Sequence, residues 1–236
     1  MRYNKEPGVA SWLDDFWDQR YLGRRDPIAL NANFFFLFPV DSQSQVERAV
    51  HLISGALHYK HLLDQETLPA KTMRGQPLCM AETRAIFATT RIPAYGQDQV
   101  RRPYTGTEPG PASGRHILVF HKGHLFALDV IGVGGRAHTD DVIAEGLRAV
   151  MSSSPEAAAP GTSIGHLTTL PREAWADERD RLRANPHNAA LIEKIETALF
   201  IIALEDQSPV TDLQASDQLL HGNSANRYFD KAISLI

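Results

Sequence analysis

The sequence predicts a mixed α/β (α+β) fold, and three observations support that prediction. Apolar residues recur with the spacing of helices in some segments, and short runs rich in β-branched and aromatic residues lie between those segments. No segment repeats at a fixed period. Of the 236 residues, 43% are hydrophobic and 22% are charged, a composition typical of a globular chain rather than a disordered one.

Four aromatic residues near the start of the chain predict a first helix. They stand four, one and four residues apart, as on one side of a helix: Trp12, Phe16, Trp17 and Tyr21. Asp26-Pro27 should end this helix, because the residue before a proline is forced out of the helical region. The strongly apolar residues 28–40 are predicted to be extended, either as a core strand or as a buried loop.

The best helix of the sequence covers residues 43–63. Its apolar positions follow the helical period for most of its length: Val46, Val50, Ile53, Leu57 and Leu63. Ser42 and Gln45 have the spacing of a capping box at its start. A shorter helix is predicted over residues 80–87, and the glycine- and proline-rich residues 97–114 are expected to form a surface loop.

The middle of the chain predicts a β-hairpin followed by a helix. Two β-rich runs, residues 116–120 and 125–131, flank a short polar turn. Thr139 is expected to cap a helix that ends near Met151. The small residues of segment 152–161 predict a linker after this helix.

The last third of the chain is predicted to alternate helices with buried strands. Helices should begin at Pro171, which suits a first helical turn, and at Asn188, which suits a cap. Residues 200–204 read as a buried strand because they are apolar throughout. A last helix is expected from about Asp212, and a further strand from Phe229.

Composition and charge exclude several classes of protein. A net charge of −4 gives no general basic surface for a nucleic acid. The only cysteine, Cys79, excludes an internal disulfide framework and a zinc cage built from cysteines. No apolar run approaches the roughly 20 residues that a membrane helix needs, and the first residues lack a secretory signal. The sequence therefore predicts a soluble, intracellular protein.

Three short motifs suggest chemistry but fail in their context. Residues 161–165 match the G-x-S-x-G pattern of a nucleophile elbow, yet a linker rather than a buried strand precedes Ser163. The glycines of residues 132–135 lack the third glycine of a dinucleotide-binding turn. The ten histidines include pairs without a convincing third ligand. We therefore predict no metal site and assign no catalytic residue.

The aromatic stripe of the first helix has two interpretations. Such stripes usually form the buried face of a docked helix, and the sequence alone favours that interpretation. The alternative is the wall of a pocket for a cationic or acyl ligand, since aromatic faces attract cations.

Several short strings occur in a characteristic order along the chain. They are residues 59–64, Glu66-Thr-Leu-Pro69, Gly75-Gln-Pro-Leu-Cys-Met80, Thr90-Arg-Ile-Pro93, Gly165-x-Leu-Thr168, Arg172-x-x-Trp-Ala176, Leu220-His-Gly222 and Asn226-Arg-Tyr-Phe-Asp-Lys231. In this order and spacing the chain resembles the choline/carnitine acyltransferase family, most closely its carnitine O-acetyltransferase branch. The resemblance runs from residue 12 to the last residue.

The resemblance implies a transferase of fatty acid metabolism that moves an acyl group between coenzyme A and carnitine. Both would be substrates, and no covalently bound cofactor is implied. The family has two halves, each with the chloramphenicol-acetyltransferase fold, and a tunnel between them holds the active site. A histidine in a His-x-x-x-Asp/Glu-Gly motif acts as the general base, which requires a pKa near neutrality.

This sequence departs from the family pattern because no histidine in it begins a His-x-x-x-Asp/Glu-Gly motif. We therefore expect a fragment without the catalytic histidine and the coenzyme A-binding half, inactive by itself. Residues 1–75 would be helices that pack on a missing C-terminal half, and residues 76–236 an incomplete N-terminal catalytic half with an incomplete sheet. The alternative is a non-catalytic binding or assembly module derived from the same family. The family resemblance implies that the protein is located in a mitochondrion or a peroxisome.

The resemblance assigns a role to few residues. Trp17 and Tyr21 match the family's tryptophan and tyrosine on the carnitine side of the tunnel, so they are the predicted substrate-binding residues. One residue fewer separates them here, which would rotate Tyr21 by about 100° on a helix. Arg227, Asp230 and Lys231 are interpreted as structural, positioning the strand that precedes the catalytic histidine in the family.

A physical consequence is expected if the second half is absent. The strand beginning at Phe229 would become an unpaired apolar edge, which promotes aggregation. Trp12 and Trp17 would lose the surface they pack against and become exposed.

Overall fold

The computed structural model describes residues 13–31, 34–80, 83, 85–102 and 114–236. The helices are α1 (Asp14–Leu22), α2 (Ile28–Asn31), α3 (Gln45–Asp64), α4 (Asp140–Ser153), α5 (Arg172–Arg183), α6 (Pro186–Thr197) and α7 (Asp212–Leu220). The strands are β1 (Thr72–Met73), β2 (Gln76–Pro77), β3 (Thr90–Ile92), β4 (Gln99–Arg101), β5 (His116–His121), β6 (His124–Asp129), β7 (Ile201–Leu204) and β8 (Ser234–Leu235). Short 3₁₀ helices cover Ile164–Thr169 and Ser224–Asn226.

A mixed four-stranded sheet in the order β6-β5-β7-β8 forms the centre of the fold. β5 and β6 are the predicted hairpin, and their turn residues Lys122 and Gly123 both have positive φ. β7 runs parallel to β5, with Val119 opposite Ile202, and β8 runs parallel to β7. All four residues of β7 are buried, as expected for a strand covered on both faces.

Helices cover both faces of this sheet because alternate strand residues point to opposite sides. Ile117 and Val119 of β5 face a cluster with α3 and α4, in which Ile53 and Leu147 are completely buried. Leu118, Phe120, Ile201 and Ala203 face the other side. There they pack with Trp175 of α5, Ile195 of α6 and Tyr228. The predicted mixed α/β class is therefore confirmed.

Residues 28–40 differ from the sequence prediction. Part of the segment is the short helix α2, and residues 34–40 form neither a strand nor a buried loop. The exposed fraction is 81% for Phe34, 74% for Phe36 and 98% for Val40. Apolar content predicts burial only where neighbouring elements cover the side chain, and the described elements leave most of these three side chains exposed.

Helix caps account for two shifted boundaries. Ser44 and Glu47 form the capping box of α3, two residues after the predicted pair of Ser42 and Gln45. Asn185 caps α6 instead of Asn188, because Pro186 occupies the first helical turn, where its missing N–H costs nothing.

β4 lies within the predicted surface loop of residues 97–114. It pairs antiparallel with β3, and this pairing is set by tertiary contact rather than by any periodic pattern in three residues. Most of the remaining loop prediction and Trp12 lie outside the described residues. Of the helix predicted over residues 80–87, residues 81, 82 and 84 also lie outside them, and the described residues 85–87 are not in an α-helix.

Candidate functional site

Trp17 and Tyr21 form an exposed aromatic face on α1. They are one helical turn apart, and their rings stack with centroids 5.4 Å apart and an interplanar angle of 24°. Trp17 is 49% exposed and Tyr21 is 54% exposed. The four-residue spacing places both side chains on one side of the helix. Within the described structure this face is open, as a ligand-binding wall requires.

The carboxyl end of α1 is fixed to the body of the protein by backbone and guanidinium hydrogen bonds. The Asp98 N–H donates to the Leu22 carbonyl at 3.0 Å, and the Arg172 N–H donates to the Arg25 carbonyl at 3.0 Å. The Arg25 guanidinium donates to the carbonyls of Leu22, Gly23 and Ala94 at 2.5, 3.1 and 2.6 Å. These bonds fix the place where the helix leaves the body.

Asp98 is the centre of a buried cluster of charges behind this junction. Its carboxylate is almost fully buried and accepts from three arginines on three different segments. Arg25 Nη2 donates to Oδ1 at 3.1 Å, while Arg91 Nε and Arg172 Nε donate to Oδ2 at 2.5 and 2.6 Å. The Ala94 N–H also donates to Oδ1, at 3.2 Å. Sequence reasoning missed Asp98 because it lies in a run predicted as surface loop.

Arg172 extends the cluster to Asp230, just before β8. Its Nη2 lies 2.7 Å from Asp230 Oδ1, close enough for an ion pair although the angle is not that of a hydrogen bond. The indole N–H of Trp175 donates to the other carboxylate oxygen at 2.6 Å. Burial raises the pKa of Asp230 to about 6, and the Arg172 charge and the Trp175 hydrogen bond oppose this rise. The strand that follows Asp230 is therefore anchored through charged groups.

Lys231 is anchored separately from Asp230. Its ammonium donates to Thr90 Oγ1 at 2.7 Å and to the Glu196 carbonyl at 2.8 Å. The Glu196 carboxylate binds Arg179 at 2.7 Å and Arg101 at 3.4 Å. Burial lowers the pKa of Lys231 to about 7, and the Glu196 charge opposes this.

The start of the Asn226–Lys231 string is held by polar contacts of its own. Asn226 Oδ1 accepts from the Gly123 N–H in the hairpin turn at 2.6 Å. The Arg227 guanidinium binds the Glu205 carboxylate and donates to the Gln218 carbonyl at 2.8 Å. The polar side chains of this string therefore have structural partners, in agreement with the prediction that Arg227, Asp230 and Lys231 position the strand.

Five histidines of the described structure make side-chain hydrogen bonds. His116 Nε2 donates to the Lys194 carbonyl at 2.7 Å, and His121 Nδ1 pairs with Ser154 Oγ at 2.8 Å. Burial lowers the pKa of both imidazoles. Within the described ranges, no group of three or more His, Cys, Asp or Glu side chains could hold a metal ion.

Ser163 has a structural role in the described chain. It caps the 3₁₀ helix Ile164–Thr169 by accepting from the Gly165 N–H, and its hydroxyl donates to the Ala225 carbonyl at 2.7 Å. No strand precedes it, so the G-x-S-x-G match is not a nucleophile elbow. The helices of the described part are all too short or too polar to cross a membrane.

Comparison with known proteins gives a consistent result over the whole chain. The model of the family described as Choline/Carnitine o-acyltransferase matches residues 1–236. Carnitine O-acetyltransferase of Rattus norvegicus is 32% identical over 243 residues, which cover 97% of this chain and 38% of the relative. Choline O-acetyltransferase of Gallus gallus is also 32% identical, over 97% of this chain and 38% of the relative.

The name of a third relative contains a longer acyl group, octanoyl. Peroxisomal carnitine O-octanoyltransferase of Mus musculus is 31% identical, over 97% of this chain and 39% of the relative. The chain thus spans less than half the length of each of these curated relatives.

Proposed function

Because the chain belongs to the choline/carnitine O-acyltransferase family, we propose that it takes part in acyl transfer between coenzyme A and carnitine. In this reaction the carnitine hydroxyl oxygen bonds to the thioester carbonyl carbon, the carbon–sulfur bond breaks, and the hydroxyl proton ends on the released thiol. Both molecules are substrates in this proposal. The relatives named above act on carnitine or choline, so an alcohol carrying a quaternary ammonium is their shared chemistry.

The observation that carries the proposal is the exposed, stacked pair of Trp17 and Tyr21. Aromatic faces attract quaternary ammonium groups, and the attraction is strongest where a second surface excludes water. The pair stands on a helix whose carboxyl end is tied through Asp98 and Arg172 to Asp230. A substrate bound to this face would therefore have a fixed position relative to the strand β8.

We further propose that the sheet is the chloramphenicol-acetyltransferase-like N-terminal half of the family fold. Residues 1–75 would pack on a C-terminal half that also binds coenzyme A, and residues 76–236 would form an incomplete N-terminal catalytic half. The mixed sheet with helices on both faces supports this assignment, as does a match to only 38% of the carnitine O-acetyltransferase length.

A binding experiment tests the role of the aromatic pair. Saturation-transfer NMR on the N-methyl protons of carnitine should detect binding to the wild-type chain. The signal should fall by about tenfold in Trp17→Ala and in Tyr21→Ala, corresponding to the loss of a cation–π contact. Phe36→Ala, which removes an exposed aromatic side chain outside α1, is the matched control. An unchanged signal in both α1 variants would remove Trp17 and Tyr21 from the site.

The 236 residues by themselves are predicted to be inactive. They contain no His-x-x-x-Asp/Glu-Gly motif, so no general base of the family type is available. The purified chain, mixed with acetyl-CoA and carnitine, should release no thiol detectable with a thiol reagent. Adding a polypeptide that carries the motif and the second half should restore release. Carnitine-dependent release by the chain alone would show that the base lies within these residues.

The missing motif equally supports the second candidate, a non-catalytic binding or assembly module. A pull-down from the source cells should then recover a second polypeptide that carries the His-x-x-x-Asp/Glu-Gly motif.

We further propose, from the family resemblance, that the protein is located in a mitochondrion or a peroxisome, and one relative is named as peroxisomal. Imaging of the tagged protein against markers of both organelles tests this.

A further inference from the structure

The helix that carries the aromatic pair has little packing of its own. None of the described side chains of α1 is buried, and residues 15–21 are all exposed. The described body therefore covers only part of the apolar surface of α1. The hydrogen bonds at residues 22–25 join the end of the helix to that body at defined positions.

Those bonds converge on Asp98. Arg25 comes from the segment that follows α1, Arg91 from β3 and Arg172 from α5, and all three donate to one carboxylate. A guanidinium presents its donors in a rigid planar fork, so a carboxylate that receives three of them fixes orientation as well as distance. The Asp98 backbone N–H, bound to the Leu22 carbonyl, adds a contact from the same residue.

The cluster of charges also connects the end of α1 to Asp230, which precedes β8. Arg25, Asp98, Arg172 and Asp230 alternate in charge, with contacts of 3.1, 2.6 and 2.7 Å between successive members. Asp98, Arg172 and Asp230 are almost completely buried. Removing one member would leave a neighbouring charge buried without its partner, which is strongly destabilising. The contacts of the cluster are therefore expected to be kept or lost together.

We propose that Asp98 is a positioning residue that sets the direction of α1, and with it the place of the Trp17–Tyr21 face relative to Asp230 and β8. The assignment of that face to a substrate rests on the proposed function, whereas the mechanical link does not. Asp98 touches no substrate in this proposal and acts through Arg25 and Arg172.

Double electron–electron resonance measures this link directly. In a Cys79→Ser background, spin labels at Gln19→Cys on α1 and Glu145→Cys on α4 should give a narrow distance distribution. Asp98→Asn, which removes the charge at nearly constant volume, should at least double its width. A second label pair within the body, at Glu145→Cys and Asp180→Cys, should remain unchanged. Far-UV circular dichroism confirms that each labelled variant is folded.

Two further variants complete the test. Glu193→Gln breaks the exposed ion pair with Arg101 and should leave the α1 distribution unchanged. If Asp98→Asn fails to fold, Arg25→Lys takes its place, because lysine keeps the charge but loses the fork, and it should also broaden the distribution.

The outcomes separate this inference from the proposed function. A broad distribution in the wild type, or an unchanged one in Asp98→Asn and Arg25→Lys, would overturn the inference. Equal broadening of both label pairs would also overturn it, since Asp98 would then serve the whole fold rather than α1. The distances need neither carnitine nor turnover, so they stand even if the carnitine experiment fails.

Discussion

At the scale of single residues, the protein concentrates buried charge where the chain approaches β8. Asp230 and Lys231 are neighbours in sequence but bind different partners, Asp230 to Arg172 and Lys231 to Thr90. A buried charge is tolerated only when it is paired and hydrogen-bonded. The two partner sets therefore select one position for this segment, because any shift would leave both charges unpaired.

Lys231 is predicted to make stability depend on pH between about 7 and 10.5. Its folded pKa of about 7 lies below the ordinary value of 10.5, so the unfolded chain binds the extra proton within this window. Stability should therefore rise with pH across the window, by an amount on the order of 5 kcal/mol. Urea denaturation over this pH range measures the rise.

Lys231→Met should flatten this pH dependence, since no proton is then taken up on unfolding at this position. Lys194→Met, which removes an exposed lysine, is the control and should keep the wild-type slope. A wild-type slope in Lys231→Met would show that another group titrates in this window.

The sequence identified the string that ends at Lys231 but not the partners of its residues. Asp98 carries no periodic signal, and its arginine partners Arg25 and Arg172 lie 73 and 74 positions away. Such pairs are brought together by topology, which a single sequence does not display. Trp17 and Tyr21 were singled out by the family resemblance, whereas their helical spacing by itself favoured a buried face.

At the scale of elements, the two 3₁₀ helices meet through a glycine. A Cβ at Gly165 would lie 2.2 Å from the Ser224 carbonyl oxygen and 2.3 Å from that of Arg227. Any side chain there would push apart the segments 164–169 and 224–227. The glycine of the failed nucleophile motif is therefore required for packing beside the Asn226–Lys231 string.

Gly165→Ala is predicted to lower the free energy of unfolding by about 3 kcal/mol, in the range of severe steric substitutions. Thermal unfolding followed by circular dichroism measures the loss. Gly134→Ala is the matched control, because nothing lies within 4 Å of a Cβ at that position. A loss of similar size in both variants would mean that the contact with Ser224 and Arg227 is not its cause.

Elements with a sequence pattern of their own were predicted correctly. Elements that form through tertiary contacts were not predicted. The hairpin of β5 and β6, the buried strand β7 and the helix α7 were predicted because each has its own local pattern. β4 has only three residues and exists because β3 lies beside it. Segment 34–40 has a core-like composition but remains exposed, because burial depends on neighbours rather than on composition.

At the scale of the whole molecule, apolar surface is gathered on one side of the sheet. Phe36, Phe38 and Val40 line a cavity of about 430 Å³, together with residues of β7, β8 and α7. β8 is also the outer strand of the sheet and pairs through two residues only. An open apolar edge of this kind favours contact between copies of the chain.

The 236-residue chain is accordingly predicted to self-associate at micromolar concentration. Sedimentation velocity should show weight-average mass rising with concentration, and Phe36→Ser combined with Val40→Thr should reduce the rise, because less apolar area can be buried. Val133→Ser alters an isolated exposed valine in a turn and serves as the control. A monomer at every concentration would contradict the prediction.

The bond from Lys231 to Thr90 joins residues 141 positions apart. At the usual pace of about 5–20 residues per second, a ribosome needs about 7–28 seconds to make the chain between them. Through that interval β3 lacks the segment to which Arg91 and Thr90 later bind. During synthesis the contacts of β3 with residues 230 and 231 therefore form late, and chaperones can bind the incomplete sheet until those residues have been made.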